Sequence, residues 1–157
     1  MAGQSNDCNP DRPAIWLCHQ INRNLSQAPA WMTADEGKAL ARLEGPRRQE
    51  YLTSRWLIRQ ALARASGEAP TSCHPVPGRP VASASPQGWH LSLSHSQGLS
   101  ACATGRAALG IDLEPSQRRP DWARVTTRWF TPVEQEWLLR ANNAFSFLKV
   151  WTLKEAW

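Results

Sequence analysis

The chain has 157 residues with a formal net charge of +5, 20% charged and 41% hydrophobic residues, and nine Trp. So many large apolar rings can bury enough surface to offset the entropy of ordering, which excludes a disordered chain, and the modest charge excludes a histone-like polycation. No apolar run approaches the roughly 18 to 20 residues that span a bilayer, and the opening MAGQSNDCNPDRP lacks the basic and apolar regions of an export signal, so a soluble cytoplasmic protein is expected.

In chain order, the apolar run Ile15 to Cys18 reads as a short strand. Thr33, Ala34, Asp35, Glu36 then forms a capping box, in which a hydroxyl and a carboxylate satisfy the first free amides of a helix, and that helix is expected to run through Leu43. Gly45 and Pro46 punctuate it; Pro46 suits the first turn of a second helix reaching Ser66, with Gly67 as its stop. At 100° per residue, Tyr51, Ser54, Ile58, Ala61, Leu62 and Ala65 share one face of this helix, and Arg48, Arg55 and Arg59 fall within about 40° of each other beside it. That stripe is either a solvated face or a polyanion site, and periodicity favours the solvated face.

Residues 70–88, rich in Pro, Gly and Ser, read as loop. From Trp89 the period is two: Leu91 and Leu93 face one way, Ser92, Ser94 and Ser96 the other, Gln97 and Gly98 turn the chain, and Leu99, Ala101 and Ala103 alternate again, which predicts a hairpin. A third strand is expected over Ala107 to Leu113, and helices over Thr131 to Arg140 and from Asn143 to the end.

The four cysteines, Cys8, Cys18, Cys73 and Cys102, include no CxxC pair, so free thiols are expected rather than zinc ligands or disulfides. Charge is unevenly distributed: Arg42 to Arg106 holds eight Arg and three Glu, whereas Gly110 to Trp157 holds seven basic and six acidic residues. Arg suits bidentate phosphate binding, and 15 of the 18 basic residues are Arg, although genome composition produces the same bias.

Three features carry chemistry. In GIDLE, alternation along a strand puts Asp112 and Glu114 on one face, where both can reach one hard cation; a DxE spacing alone is a weak signal. In WTLKEAW, apolar residues lie nearly all round the helix, so Lys154 and Glu155 need partners, either a structural salt bridge or a cation site shared with Asp112 and Glu114. His95, in SLSHS at the end of a strand, is either an ordinary surface residue or a donor to a phosphate. A Ser/His hydrolase fits poorly, because Ser94 and His95 are neighbours that point to opposite strand faces and there is no GxSxG elbow. The Arg stripe and the Trp suggest a nucleic-acid surface, but no nucleic-acid motif is present, and Trp137 and Trp151 fall at positions compatible with core burial.

TSRWLIRQAL, GRP at Gly78 to Pro80, LSLSHS, GIDLE, RWFTPVE and WTLKEAW, in this order, resemble the 4'-phosphopantetheinyl transferases of the larger monomeric type that activates nonribosomal peptide and polyketide synthases. The resemblance implies an α+β fold of two pseudo-symmetric subdomains, the first at 1–105 and the second, from 106, cut short at 157. It implies Mg²⁺-dependent transfer of phosphopantetheine from coenzyme A to a serine of an acyl, peptidyl or aryl carrier protein, with 3',5'-ADP released. It assigns Mg²⁺ to Asp112, Glu114 and Glu155, and coenzyme A to Lys38, Arg55, Arg79, Ser94, His95 and Lys154, with Glu155 and His95 catalytic. The family carries a further Lys four residues after that Glu, and strands beyond it, so a truncated chain is expected. An inactive fragment, or a module that binds coenzyme A without transfer, is the alternative. A monomer with no nucleic-acid or membrane partner is expected.

Overall fold

The computed structural model describes residues 12–19, 28–77, 82–118 and 121–156. The chain is α+β. Strands β1 (Ala14–His19), β4 (His90–Ser96) and β5 (Leu99–Gly105) form an antiparallel sheet in the order β1-β5-β4. The β4–β5 hairpin turns on Gln97 and Gly98, with φ of 47° and 78°. Positive φ at both central residues matches the turn to the right-handed twist of the strands, and Gly98 adopts it without steric cost.

Helix α1 (Ala34–Leu40) is shorter than the sequence suggests, because Ala41 caps it, and α2 (Gly45–Ser66) ends on Gly67 in the left-handed conformation. One face of α2 packs on the sheet: Leu57, Ile58, Ala61 and Leu62 meet Leu91 and Cys102, closed off by Trp89 and Cys73. Each fully buried side chain of this kind contributes about 1.5–3 kcal/mol. Cys18, Cys73 and Cys102 are free thiols, and burial pushes Cys102 up to about 12, so it stays protonated and inert. Cys8 lies outside the described residues.

The predicted loop at 70–88 is partly ordered into a 3₁₀ turn (Pro70–Ser72) and a small two-stranded sheet, β2 (His74–Pro75) with β3 (Ser83–Ser85). The predicted third strand is absent: residues 107–115 join no ladder. Helix α3 (Trp122–Trp129), which periodicity did not single out, starts where the Asp121 carboxylate accepts from the Arg124 amide, 3.3 Å. Helices α4 (Pro132–Ala141) and α5 (Ala144–Ala156) stand where the sequence places them, α4 behind a Thr131/Glu134 capping box. Helix α5 is not buried all round: Phe147 and Leu148 are buried, while Phe145 and Leu153 are exposed. Trp137, expected in the core, is 49% exposed. No described helix is long and apolar enough to cross a membrane.

The Arg stripe of α2 is not a solvated face. Arg59 is 2% exposed: Nη1 and Nη2 donate to both oxygens of Glu36 at 3.2 and 2.6 Å, Nε donates to the Trp31 carbonyl at 3.1 Å, and the guanidinium lies over the Trp31 ring. Arg48 donates to the Leu40 carbonyl at 2.8 Å. The Glu36 carboxylate also accepts the Thr33 amide at 2.9 Å, so the residue that completes the cap of α1 is the counter-ion of α2. Burial alone raises the pKa of Glu36, but the Arg59 hydrogen bonds, the Thr33 amide and the nearby Arg55 outweigh it and hold it below the ordinary value. A depressed carboxylate contributes stability that is fully present above its unfolded pKa and is lost as pH falls through the folded one. Acid titration of the fold should therefore show stability declining below about pH 5, and Glu36→Gln should flatten that limb.

Candidate functional site

The site is built where residues 111–114 cross the sheet face opposite α2. Ile111 and Leu113 do not donate to a neighbouring strand; their amides donate to the side chains of Ser92 (3.1 Å) and Ser94 (3.0 Å) on β4. These two serines, two residues apart on one strand face, hold the acidic segment in register. Ser94 in turn donates to Asp112 Oδ1 at 3.0 Å. The other oxygen of Asp112, Oδ2, is buried and has no hydrogen-bond partner. A buried, bare carboxylate oxygen is costly, and a cation is the partner its chemistry calls for.

The Glu114 side chain is 9% exposed and is met on Oε1 by two donors, the indole Nε1 of Trp151 at 2.7 Å and the guanidinium of Arg118. A turn closed by the Arg118 amide on the Pro115 carbonyl, 2.9 Å, folds Arg118 back over Glu114. The hydrogen bond that Arg118 donates to Glu114, with the charges of Glu114, Glu155 and Asp112, raises the pKa of Arg118. Arg118 therefore stands in the field of all three acids that the sequence singles out.

Glu155 is exposed near the end of α5. Gly110 backs onto the same turn so closely that a Cβ there would overlap the Ala156 carbonyl oxygen. Its φ is ordinary, so this glycine answers to space rather than to backbone conformation. Gly110→Ala should displace the last turn of α5, lowering the unfolding free energy by about 1–3 kcal/mol, readable by chemical denaturation. Among the described residues no three acidic, His or Cys side chains form a ready metal cluster. The donor set nevertheless fits Mg²⁺, which takes a couple of carboxylates and fills its remaining positions with water and substrate oxygens.

The remaining predicted residues engage groups outside this segment. His95 is half-exposed, its Nδ1 3.7 Å from Glu50 Oε1 on α2, which leaves Nε2 turned from that carboxylate. Arg55 is 9% exposed, lies over the Tyr51 ring and stands 3.8 Å from Glu36, and its Nε and Nη1 have no hydrogen-bond partner. Lys154 pairs with Glu134 at 3.0 Å, the structural salt bridge that its position on α5 required, and Lys38 pairs with Asp35 at 3.1 Å in solvent. Arg79 and the rest of GRP lie outside the described residues. Sequence reading missed Ser92, Trp151 and Arg118 as partners of the acidic segment. Only Ser92 carried a signal, its period-two spacing from Ser94.

Two family models match this chain. That of the 4'-phosphopantetheinyl transferase N-terminal domain covers residues 35–105, and that of the 4'-phosphopantetheinyl transferase superfamily covers residues 108–157. The chain is 38% identical over 108 residues to 4'-phosphopantetheinyl transferase Svp of Streptomyces mobaraensis, a stretch that takes in 66% of this chain and 42% of that protein.

Proposed function

Because this chain belongs to the 4'-phosphopantetheinyl transferase family, we propose that it serves Mg²⁺-dependent transfer of phosphopantetheine from coenzyme A to a carrier-protein serine. The observation that carries the proposal is the bare, buried Asp112 Oδ2 on a segment pinned to Ser94. Asp112 and Glu114, with Glu155 alongside, are the residues that would hold Mg²⁺, which when bound neutralises pyrophosphate charge.

The chain's own groups supply the rest. Arg55, whose Nε and Nη1 are buried without a hydrogen bond, contributes positive charge toward a phosphate of coenzyme A, as do Arg79, Lys38 and Lys154 in the same reading. For Lys154 this requires leaving Glu134, and for Lys38 leaving Asp35. His95 donates through Nε2 to a phosphoryl oxygen, with Glu50 behind Nδ1 holding the ring. Ser94 acts through Asp112, fixing its carboxylate. Exposed Glu155 takes the proton of the carrier serine. The serine oxygen bonds to the β-phosphorus as the bond to the bridging oxygen breaks, and 3',5'-ADP leaves.

The test is the mass of an apo carrier protein incubated with this chain, coenzyme A and Mg²⁺. A gain of one phosphopantetheine, lost on chelation, is expected. Coenzyme A binding with no mass gain would assign this chain the role of a binding module, and no binding would overturn the proposal.

A further inference from the structure

Glu114 is nine-tenths buried, and a buried carboxylate needs a counter-charge. Arg118 supplies it here: its guanidinium lies on Glu114 Oε1, 5.7 Å from the centre of the Trp151 ring, whose indole nitrogen donates to the same oxygen. Arg118 is itself 43% exposed and sits at the end of a tight turn, so it can leave toward water without unpacking the core.

We propose that Arg118 is a built-in competitor for the cation site, its guanidinium standing on Glu114 in the metal-free protein and giving way when a divalent cation binds. This rests on the reading of Asp112 and Glu114 as cation ligands and adds a positioning residue to it. The physical reason is charge balance. Asp112 Oδ2 is left bare while Glu114 is neutralised, so the metal-free site carries one satisfied and one unsatisfied carboxylate. A dication brings more charge than one guanidinium and reaches both. The protein that binds metal is then the fraction of molecules with Arg118 displaced, and the apparent affinity is reduced by that fraction. An ion pair with one half-exposed partner makes that fraction on the order of one in five.

The experiment is Mn²⁺ binding, by electron paramagnetic resonance of free Mn²⁺, to the full chain without coenzyme A, at 0.3 M or so of salt to screen remote charge. Arg118→Gln is expected to bind Mn²⁺ about fivefold tighter than the unsubstituted chain, and Arg118→Lys, which keeps a charge on Glu114, to stay within about twofold. The metal-free thermal midpoint of Arg118→Gln should fall, and Mn²⁺ should raise it by more than it raises that of the unsubstituted chain, whereas a merely structural arginine leaves the two rises equal. Unchanged or weaker Mn²⁺ binding by Arg118→Gln overturns the proposal. Asp112→Asn, measured in parallel, separates the two levels. If it weakens Mn²⁺ binding while Arg118→Gln does nothing, only the competitor role falls; if it too does nothing, the cation-site reading falls with it.

Discussion

Replacing Asp112 with Asn is expected to lower phosphopantetheinyl transfer by about a thousandfold, with no loss of fold stability. The two halves of that expectation come from the two oxygens of one side chain. Oδ1 is engaged by Ser94, a bond that Asn can keep through its own carbonyl oxygen. Oδ2 is buried without a hydrogen-bond partner, so no hydrogen bond of the fold is lost with it. Asn replaces an unpaired charged oxygen with an unpaired neutral amide group, which costs less to keep buried, whereas removing charge that a cation requires costs several kcal/mol of transition-state stabilisation. Transfer measured by carrier-protein mass, beside a urea titration of the same preparation, reads both. If stability and transfer fell together, Asp112 would be a structural residue and the proposed site would lose its centre.

Replacing Arg59 with Ala should destabilise the fold by about 3–5 kcal/mol, the cost of leaving a carboxylate buried and unpaired. Domains of this size are stable by about 5–15 kcal/mol, so a large part of the margin is lost. Glu36 would keep its Thr33 amide and the more distant Arg55, 3.8 Å away, which limits the loss. The double variant Glu36→Leu, Arg59→Met should recover much of it, since apolar side chains of similar volume replace a buried pair at little cost. Denaturant midpoints of the two variants decide this. If Arg59→Ala is no worse than a surface substitution, the pair does not join α1 to α2.

The Arg stripe shows how far periodicity reaches. Positions 48, 55 and 59 do share one side of α2, as the 100° geometry requires. Periodicity says nothing about what lies opposite, and here α1 and the 28–33 segment cover that side. Their carboxylate and carbonyls take up Arg59 and part of Arg55, so one stripe divides into a structural cation and a second cation with donors to spare. Helix α2 is consequently buried on more than the one face the sequence marks, with Leu52, Thr53 and Leu57 enclosed as well. Phe145, Leu153 and Trp137 err the other way: their apolar character is legible, but burial depends on neighbours, and the described residues cover none of the three.

Local signals held wherever the physics is local. The Thr33–Glu36 capping box, the Gly67 stop and the Gln97–Gly98 hairpin each involve groups within a few residues of one another, and all stand where the sequence puts them. The acids of GIDLE and WTLKEAW were legible as residue types whose spacing suits a hard cation. Alternation also put Asp112 and Glu114 on one side, yet no third strand forms, because the amides of Ile111 and Leu113 donate to serine side chains in place of strand carbonyls.

A pattern of residues thus determined the hairpin, the helix ends and the candidate acids, since each depends on the geometry of a short stretch of backbone, while the α+β class came from the resemblance. Tertiary structure alone decided that Ser94 and not a strand partner holds Asp112, that Arg118 and Trp151 share Glu114, and that Arg59 belongs to the core. Those outcomes depend on which polar groups are left without water, and that is settled only when distant segments close over them.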